Sequence, residues 1–361
     1  MGELTLRGHG LRIGHFEPGP ANAITDVASV RVGHVTVVRD EPPPPAGRGV
    51  ARTGVTVILP SGDASTYRRP VPAGAAALNG AGELTGFLQI SEWGLIETPI
   101  YLTSTMAVGR IFDGAVAVAC EADAAVGADA VVIPVVGECD DSWLSDAHTV
   151  QVEAADAARA VRRSAGGAVE EGCVGAGTGM TAFGWKGGVG SSSRLVTEVE
   201  ATVGILVLAN FGSARDLRVD GVPVFPAVGE GIDPRPPAGS CIAVIATDAP
   251  LQPAQLERLA RRAGLGLARA GSVAHHGSGE IFVAFSAAAA DRDERRARID
   301  QVTVPDARLD ALFAATVEAT EEAVVNALWA AVDTRGRDGR VVRALPHEPV
   351  LGLLREHRRL S

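Results

Sequence analysis

The residues best placed to do chemistry stand in the run Arg235-Pro236-Pro237-Ala238-Gly239-Ser240-Cys241-Ile242-Ala243-Val244-Ile245-Ala246. A rigid Pro-rich loop leads there into Gly-Ser and then directly into an apolar strand. If the Gly239–Ser240 bond broke, Ser240 would carry a free α-amine beside its own hydroxyl at the start of a buried strand. An α-amine has an ordinary pKa of about 7.7–8.0, so it can serve as a base near neutral pH and activate that hydroxyl. Gly239 suits the preceding step, since a residue without Cβ can be held in a strained conformation while Ser240 attacks its carbonyl. Taken alone, Gly-Ser ahead of a strand is common, and it calls for further support.

Other candidates are weaker. Gly175-Ala176-Gly177-Thr178-Gly179-Met180 is GxGxG rather than GxGxxG, and Lys186 is followed by Gly187 rather than Ser or Thr. The segment Gly172 to Gly190 therefore reads as scaffold around a site, with glycines allowing close backbone approach, and not as a phosphate loop. Adjacent residues on a strand face opposite ways, so His275 and His276 are expected in a loop and not on a shared metal. Asp140, Asp141, Asp146 and His148 have no repeating ligand spacing, which makes a metal there a minority reading.

The elements that must position Ser240 are mostly strands. Runs at Val27 to Val38, Gly54 to Pro60, Ala130 to Val136, Thr202 to Ala209, Cys241 to Ala246 and Ile281 to Phe285 have strand length and strand composition. Helical spacing appears in Ala154 to Val161 and in Leu256, Leu259, Ala260, Ala263 and Leu267. A longer stripe runs over Asp310 to Val332, ending near Asp333-Thr334-Arg335-Gly336. Helices flanking sheets predict mixed α/β layering. The Pro run at 41–45 reads as a surface connector, and Arg355 to Arg359 as a solvated helix face.

With 361 residues, 46% of them hydrophobic, the chain can bury a large core, and no charge run divides it. One intertwined domain over residues 1–361 is expected. A net charge of -10 with scattered Lys and Arg gives no footprint for nucleic acid. The four cysteines form no CxxC pair, and no stretch has the pattern of a signal peptide or membrane span. A cytoplasmic location and no membrane partner follow as expectations.

Several ordered stretches together resemble one family. They are Ile24-Thr25-Asp26-Val27 with Val30-Arg31-Val32-Gly33-His34, Leu78 to Gly86 (LNGAGELTG), Gly175 to Arg194, and Ala209-Asn210-Phe211-Gly212. The series continues with Gly239-Ser240, Ala246 to Leu251, and Gly277-Ser278-Gly279-Glu280-Ile281-Phe282. The chain is similar in these to the L-aminopeptidase/D-Ala-esterase-amidase family, which includes the β-peptidyl aminopeptidases. The resemblance implies a four-layer α-β-β-α sandwich of the N-terminal-nucleophile type. It also implies autocatalytic cleavage into an α chain 1–239 and a β chain 240–361, and release of N-terminal residues from peptides, amides or esters. No metal or cofactor is implied, and a homo-oligomer, a tetramer, is.

By the same resemblance, Ser240 matches the nucleophile, and Ser278 and Glu280 match a pair that orients it and shuttles its proton. Asn210 matches an oxyanion-stabilising amide, and Glu138 the carboxylate that receives the substrate ammonium. An amide donor to an oxyanion is the kind of group whose removal costs roughly 10²–10³ in turnover. Without the family match, Ser278 and Glu280 would read as a turn with a solvated acid. One departure stands out: family members often carry an aromatic residue two positions after the Glu138 equivalent, where this chain has Asp140. Three alternatives follow: a related amidase for non-peptide or oligomeric amides, an acyltransferase of the ornithine-acetyltransferase type, and an unprocessed, non-enzymatic binding protein. The transferase type uses threonine where Ser240 stands, which weighs against it.

Overall fold

The β-branched runs fold into two sheets in the computed structural model, which describes residues 5–229, 239–288 and 303–360. The first sheet has four strands in the order β1 (Arg31–Asp40), β2 (Val50–Leu59), β5 (Ile100–Ser104) and β6 (Val135–Cys139). The second has six, in the order β4 (Leu95–Ile96), β3 (Val71–Gly80), β14 (Ser278–Ser286), β13 (Gly239–Thr247), β10 (Ala201–Asn210) and β9 (Gly188–Val196). Short hairpins pair β7 (Thr181–Ala182) with β8 (Trp185–Lys186), β11 (Arg218–Val219) with β12 (Val222–Pro223), and β15 (Thr334–Arg335) with β16 (Val341–Val342).

Strand alternation explains the layering. On β13, Ile242, Val244 and Ala246 meet Ile58, Leu102 and Val135 of the first sheet, while Cys241, Ala243 and Ile245 face the opposite way into the helical layer. Both faces are buried, so the strand is apolar throughout rather than alternating. Each fully buried Val or Ile contributes about 1.5–3 kcal/mol by leaving water.

Helices α4 (Pro253–Arg269) and α5 (Leu309–Trp329) cover the six-stranded sheet through Leu256, Leu259, Ala263, Leu312, Ala319 and Ala323. Helices α2 (Val108–Ala122) and α3 (Ala155–Arg162) cover the four-stranded one through Ile111, Ala115, Ala157 and Ala160. The order α-β-β-α is the one the resemblance implied. Helix α1 (Phe87–Trp93) leads into β4, and α6 (His347–Glu356) buries Val350, Leu351 and Leu354 against the helical layer of the larger sheet. No helix among the described residues is long and apolar enough to cross a membrane.

Three boundaries differ from expectation. The strand expected at Ala130 to Val136 begins only at Val135 and runs on through Gly137, Glu138 and Cys139, leaving Val131 and Ile133 exposed. The first strand starts at Arg31, because Ile24–Asp26 is a 3-10 turn closed by Asp26 accepting from the Ala21 and Ala23 amides. The long helix stops at Trp329 instead of Val332. The Ala330 carbonyl there passes within 2.6 Å of where a Gly172 Cβ would stand, so the chain turns against the Gly-rich segment.

Candidate active site

The ends of four neighbouring strands bring the expected residues to one edge of the larger sheet. Asn210, the last residue of β10, pairs directly with Ser240, the second of β13. On its other side β13 runs parallel to β14, with Gly239 opposite Ser278, Ser240 opposite Gly279 and Cys241 opposite Glu280. Strand β3 completes the row, with Gly80 opposite Gly279 and Asn79 opposite Glu280, and a bulge follows between Glu280 and Ile281.

Ser240 is thus already inside the strand and not at the tip of a loop; the Pro-rich residues 235–238 lie outside the described residues. Gly239 also differs from expectation. It sits in extended strand with no left-handed φ, and the requirement for glycine is steric. A Cβ there would stand 1.7 Å from the Asn210 carbonyl oxygen, where no side chain fits.

Two hydrogen bonds fix the Asn210 side chain. Its Nδ2 donates to the Asp140 carbonyl at 2.8 Å, and its Oδ1 accepts from the Thr181 amide at 2.8 Å. Reversing the amide would set oxygen against oxygen and N–H against N–H, so the orientation is determined by its partners. An NH2 group has two hydrogens, and one remains available. Hairpin β7–β8 places Thr181. Behind it, fully buried Lys186 donates to the Gly177 and Gly187 carbonyls at 3.0 and 2.8 Å, and burial pulls its ammonium down to about 8.

Residues i and i+2 share a face of a strand, so Ser278 and Glu280 lie side by side on β14. The Ser278 hydroxyl donates to Glu280 Oε1. The reading of Glu280 as a solvated acid in a turn is wrong: its carboxyl is fully buried, and Oε2 finds no partner among the described residues. Burial raises its pKa, against which the Ser278 hydroxyl and His275 pull it down. Asn79 donates from Nδ2 to the Ser278 carbonyl at 2.7 Å and the His275 carbonyl at 2.9 Å, fixing the start of β14. Sequence reasoning gave Asn79 no role, although it lies within the LNGAGELTG stretch.

Glu138 comes from the other sheet, on β6, and is 2% exposed. Its Oε1 accepts from the Glu83 amide at 2.9 Å, and its Oε2 from the Thr105 hydroxyl. Burial lifts its pKa most. These two donors lower it, and the carboxylates of Asp140 and Glu83 lift it again. A Cβ on Gly82 would stand 3.1 Å from Glu138 Oε1 and 3.5 Å from the Gly279 Cα, so the carboxylate and the register partner of Ser240 flank one glycine.

The remaining candidates fall elsewhere. Gly175–Gly179 form a buried 3-10 turn packed on backbone, with positions for Cβ atoms on Gly177 and Gly179 only 2.5 Å from the Gly172 carbonyl oxygen and 2.1 Å from that of Arg52. That leaves no open cradle for phosphate. Asp146 accepts from the backbone and ring nitrogens of His148, whereas Asp141 accepts from Ser104 Oγ at 2.9 Å, so the two acids serve separate networks. His275 and His276 lie in the loop before β14. All four cysteines are free.

The peptidase family S58 model matches residues 22–342. The chain is 41% identical over 366 residues to the beta-peptidyl aminopeptidase BapA of Sphingosinicella microcystinivorans, covering 96% of this chain and 90% of the relative. Among solved structures, the PH0078 protein of Pyrococcus horikoshii OT3 superposes with a TM-score of 0.92 at 44% identity, over 99% of this chain and all of that one (100%). The L-aminopeptidase D-Ala-esterase/amidase of Ochrobactrum anthropi, described as a prototype of the serine aminopeptidases and a new variant of the Ntn hydrolase fold, superposes with a TM-score of 0.89 at 38% identity, over 99% of each chain. By its sequence, its four layers and these likenesses, the chain belongs to peptidase family S58 and is a hydrolase of the aminopeptidase type.

Proposed function

We propose that the chain cuts itself between Gly239 and Ser240 and then uses Ser240 as an N-terminal nucleophile to release N-terminal residues from peptides, amino-acid amides or esters. The observation that carries this reading is the pairing of Ser240 with Asn210 on one side and with the Ser278–Glu280 strand on the other. In self-cleavage the Ser240 oxygen attacks the Gly239 carbonyl carbon, the C–N bond breaks, and the proton leaving the hydroxyl passes to the departing amine. Water then hydrolyses the resulting ester and leaves the α chain 1–239 and the β chain 240–361. The products stay interleaved as one domain, because β13 and β14 lie between β3 and β10.

In turnover the new α-amine takes the hydroxyl proton as Oγ attacks the substrate carbonyl. The spare N–H of Asn210 donates to the oxyanion, the leaving amine receives the proton, and water resolves the ester on Ser240. Ser278 and Glu280 orient the nucleophile and relay its proton, and Glu138 holds the substrate ammonium by a charge-assisted contact. Like the BapA relative, the site would take β-amino N-termini as well. A homo-oligomer, a tetramer on the family resemblance, and a cytoplasmic location in keeping with four free cysteines belong to the same proposal.

A denaturing gel and N-terminal sequencing of the smaller fragment test it. The parent protein should give a fragment beginning at Ser240, and Ser240→Ala should fold, stay full-length and lack activity. Active protein that remains uncleaved, or folded Ser240→Ala that is active, would refute it.

A further inference from the structure

Lys186 is fully buried, and among the described residues it forms no ion pair. Its Nζ donates instead to two backbone carbonyls, Gly177 at 3.0 Å and Gly187 at 2.8 Å. Taking an ammonium out of water costs more than hydrogen bonds to neutral acceptors return. A methionine would fill the same space without that cost, so stability alone gives no account of a lysine here.

The two carbonyls belong to the frame that holds Asn210. Gly177 lies in the 3-10 turn that leads into β7, and Gly187 directly follows β8, so the ammonium ties together the two ends of one hairpin. The Gly187 amide reaches back to the Met180 carbonyl at 3.1 Å, and Thr181 stands opposite Lys186 in register. From this tied base the Thr181 amide donates to Asn210 Oδ1 at 2.8 Å, and the Phe183 amide to the Phe211 carbonyl at 2.7 Å. Backbone is packed tightly at both anchors. A Cβ on Gly177 would stand 2.5 Å from the Gly172 carbonyl oxygen, and one on Gly187 2.5 Å from that of Ala209, the neighbour of Asn210. Movement of either carbonyl is therefore passed to the hairpin and to the Asn210 side chain.

We infer that Lys186 is a positioning residue for the hydrolytic reaction: by drawing the Gly177 and Gly187 carbonyls to one ammonium, it sets the Thr181 amide that aims the Asn210 side chain. The inference rests on the proposed role of Asn210 at the oxyanion. It assigns the buried charge to the accuracy of that one amide and not to the packing of the hairpin in general.

A double-variant cycle separates the two. Lys186→Met keeps a side chain of similar length and deletes the donors. On an aminoacyl p-nitroanilide, with rates referred to the processed fraction on a denaturing gel, it should lower kcat by about 10- to 100-fold, the scale of a misplacement near 1 Å. KM should change little, because the amide acts on charge that develops after binding. In the Asn210→Ala background the same substitution should cost less than about twofold, since no amide is left to aim. Thr181→Pro carries the same cycle should Lys186→Met not fold. It removes the amide hydrogen that reaches Asn210, and Met180 already has the extended backbone that a residue before proline adopts. Losses that multiply in the double variants, or a parental kcat in folded Thr181→Pro, would overturn this inference alone. An unchanged kcat in Asn210→Ala by itself would overturn the Asn210 reading and the inference with it.

Discussion

Gly239 lies so close to Asn210 that a Cβ on it would stand 1.7 Å from the Asn210 carbonyl oxygen. The residue before the proposed cut is therefore clamped by the backbone of the same residue whose side chain is proposed to serve the reaction. Asn210 thus meets two successive residues of β13: its carbonyl crowds Gly239, and the residue itself stands in register with Ser240.

Gly239→Ala should accordingly slow self-cleavage sharply. The added methyl must push β13 from β10 at the Asn210–Ser240 pair, and backbone cannot yield as a flexible side chain does. Precursor should accumulate on a denaturing gel, with circular dichroism confirming a folded protein. Cleavage at the parental rate would show that this clamp is not needed for the cut.

The proposed nucleophile junction is visible in the sequence because it is local: Gly-Ser and an apolar strand are adjacent along the chain. Helices α3 and α4 are visible for the same reason, through spacing alone. What surrounds Ser240 is not local, since the Asn79 to Ser278 hydrogen bond joins residues 199 positions apart. Strand β3 reads VPAGAAALNG and carries no strand signal in its sequence, because its residues are small. They are small because α4 packs onto them, with the Glu257 nitrogen 2.2 Å from where a Gly74 Cβ would stand. Strand β6 lies later than the apolar run at 130–136 predicts, because Gly137-Glu138-Cys139 has no apolar run, and the buried Glu138 that breaks the pattern is the residue proposed to bind substrate.

Asn210→Ala removes the spare N–H while leaving Ser240 and Glu138 in place. Turnover on an aminoacyl amide should fall by roughly 10²–10³, the loss typical of one oxyanion donor. The fall should lie in kcat, since the donor acts on charge that develops after binding. Asn210→Asp should be no better, because its side chain can still accept from Thr181 but has no N–H for Asp140 or the oxyanion. Initial rates across a range of substrate concentrations check this, and an unchanged kcat in folded Asn210→Ala would remove Asn210 from the reaction.

Asp141 follows the residue that anchors Asn210, and burial pushes its carboxyl from 3.8 up to about 7. Its Oδ1 accepts from Ser104 Oγ, while Oδ2 has no partner among the described residues. A raised acid pKa means that the folded state holds a proton the unfolded chain has already lost. Stability from this group is therefore complete below about pH 4 and is lost as pH rises towards 7. At 1.36 kcal/mol per tenfold, the loss is about 4 kcal/mol for Asp141 at most. Glu171, raised to about 8, and Glu321, raised to about 7, both chiefly by burial, slope the same way. Asp141→Asn mimics the protonated acid, keeps the acceptor for Ser104, and has no charge to bury. Its urea midpoint should match the parent near pH 4 and exceed it near pH 8, with a shallower decline in between. Parallel curves for the two proteins across that range would show that Asp141 ionises in the folded state at no cost.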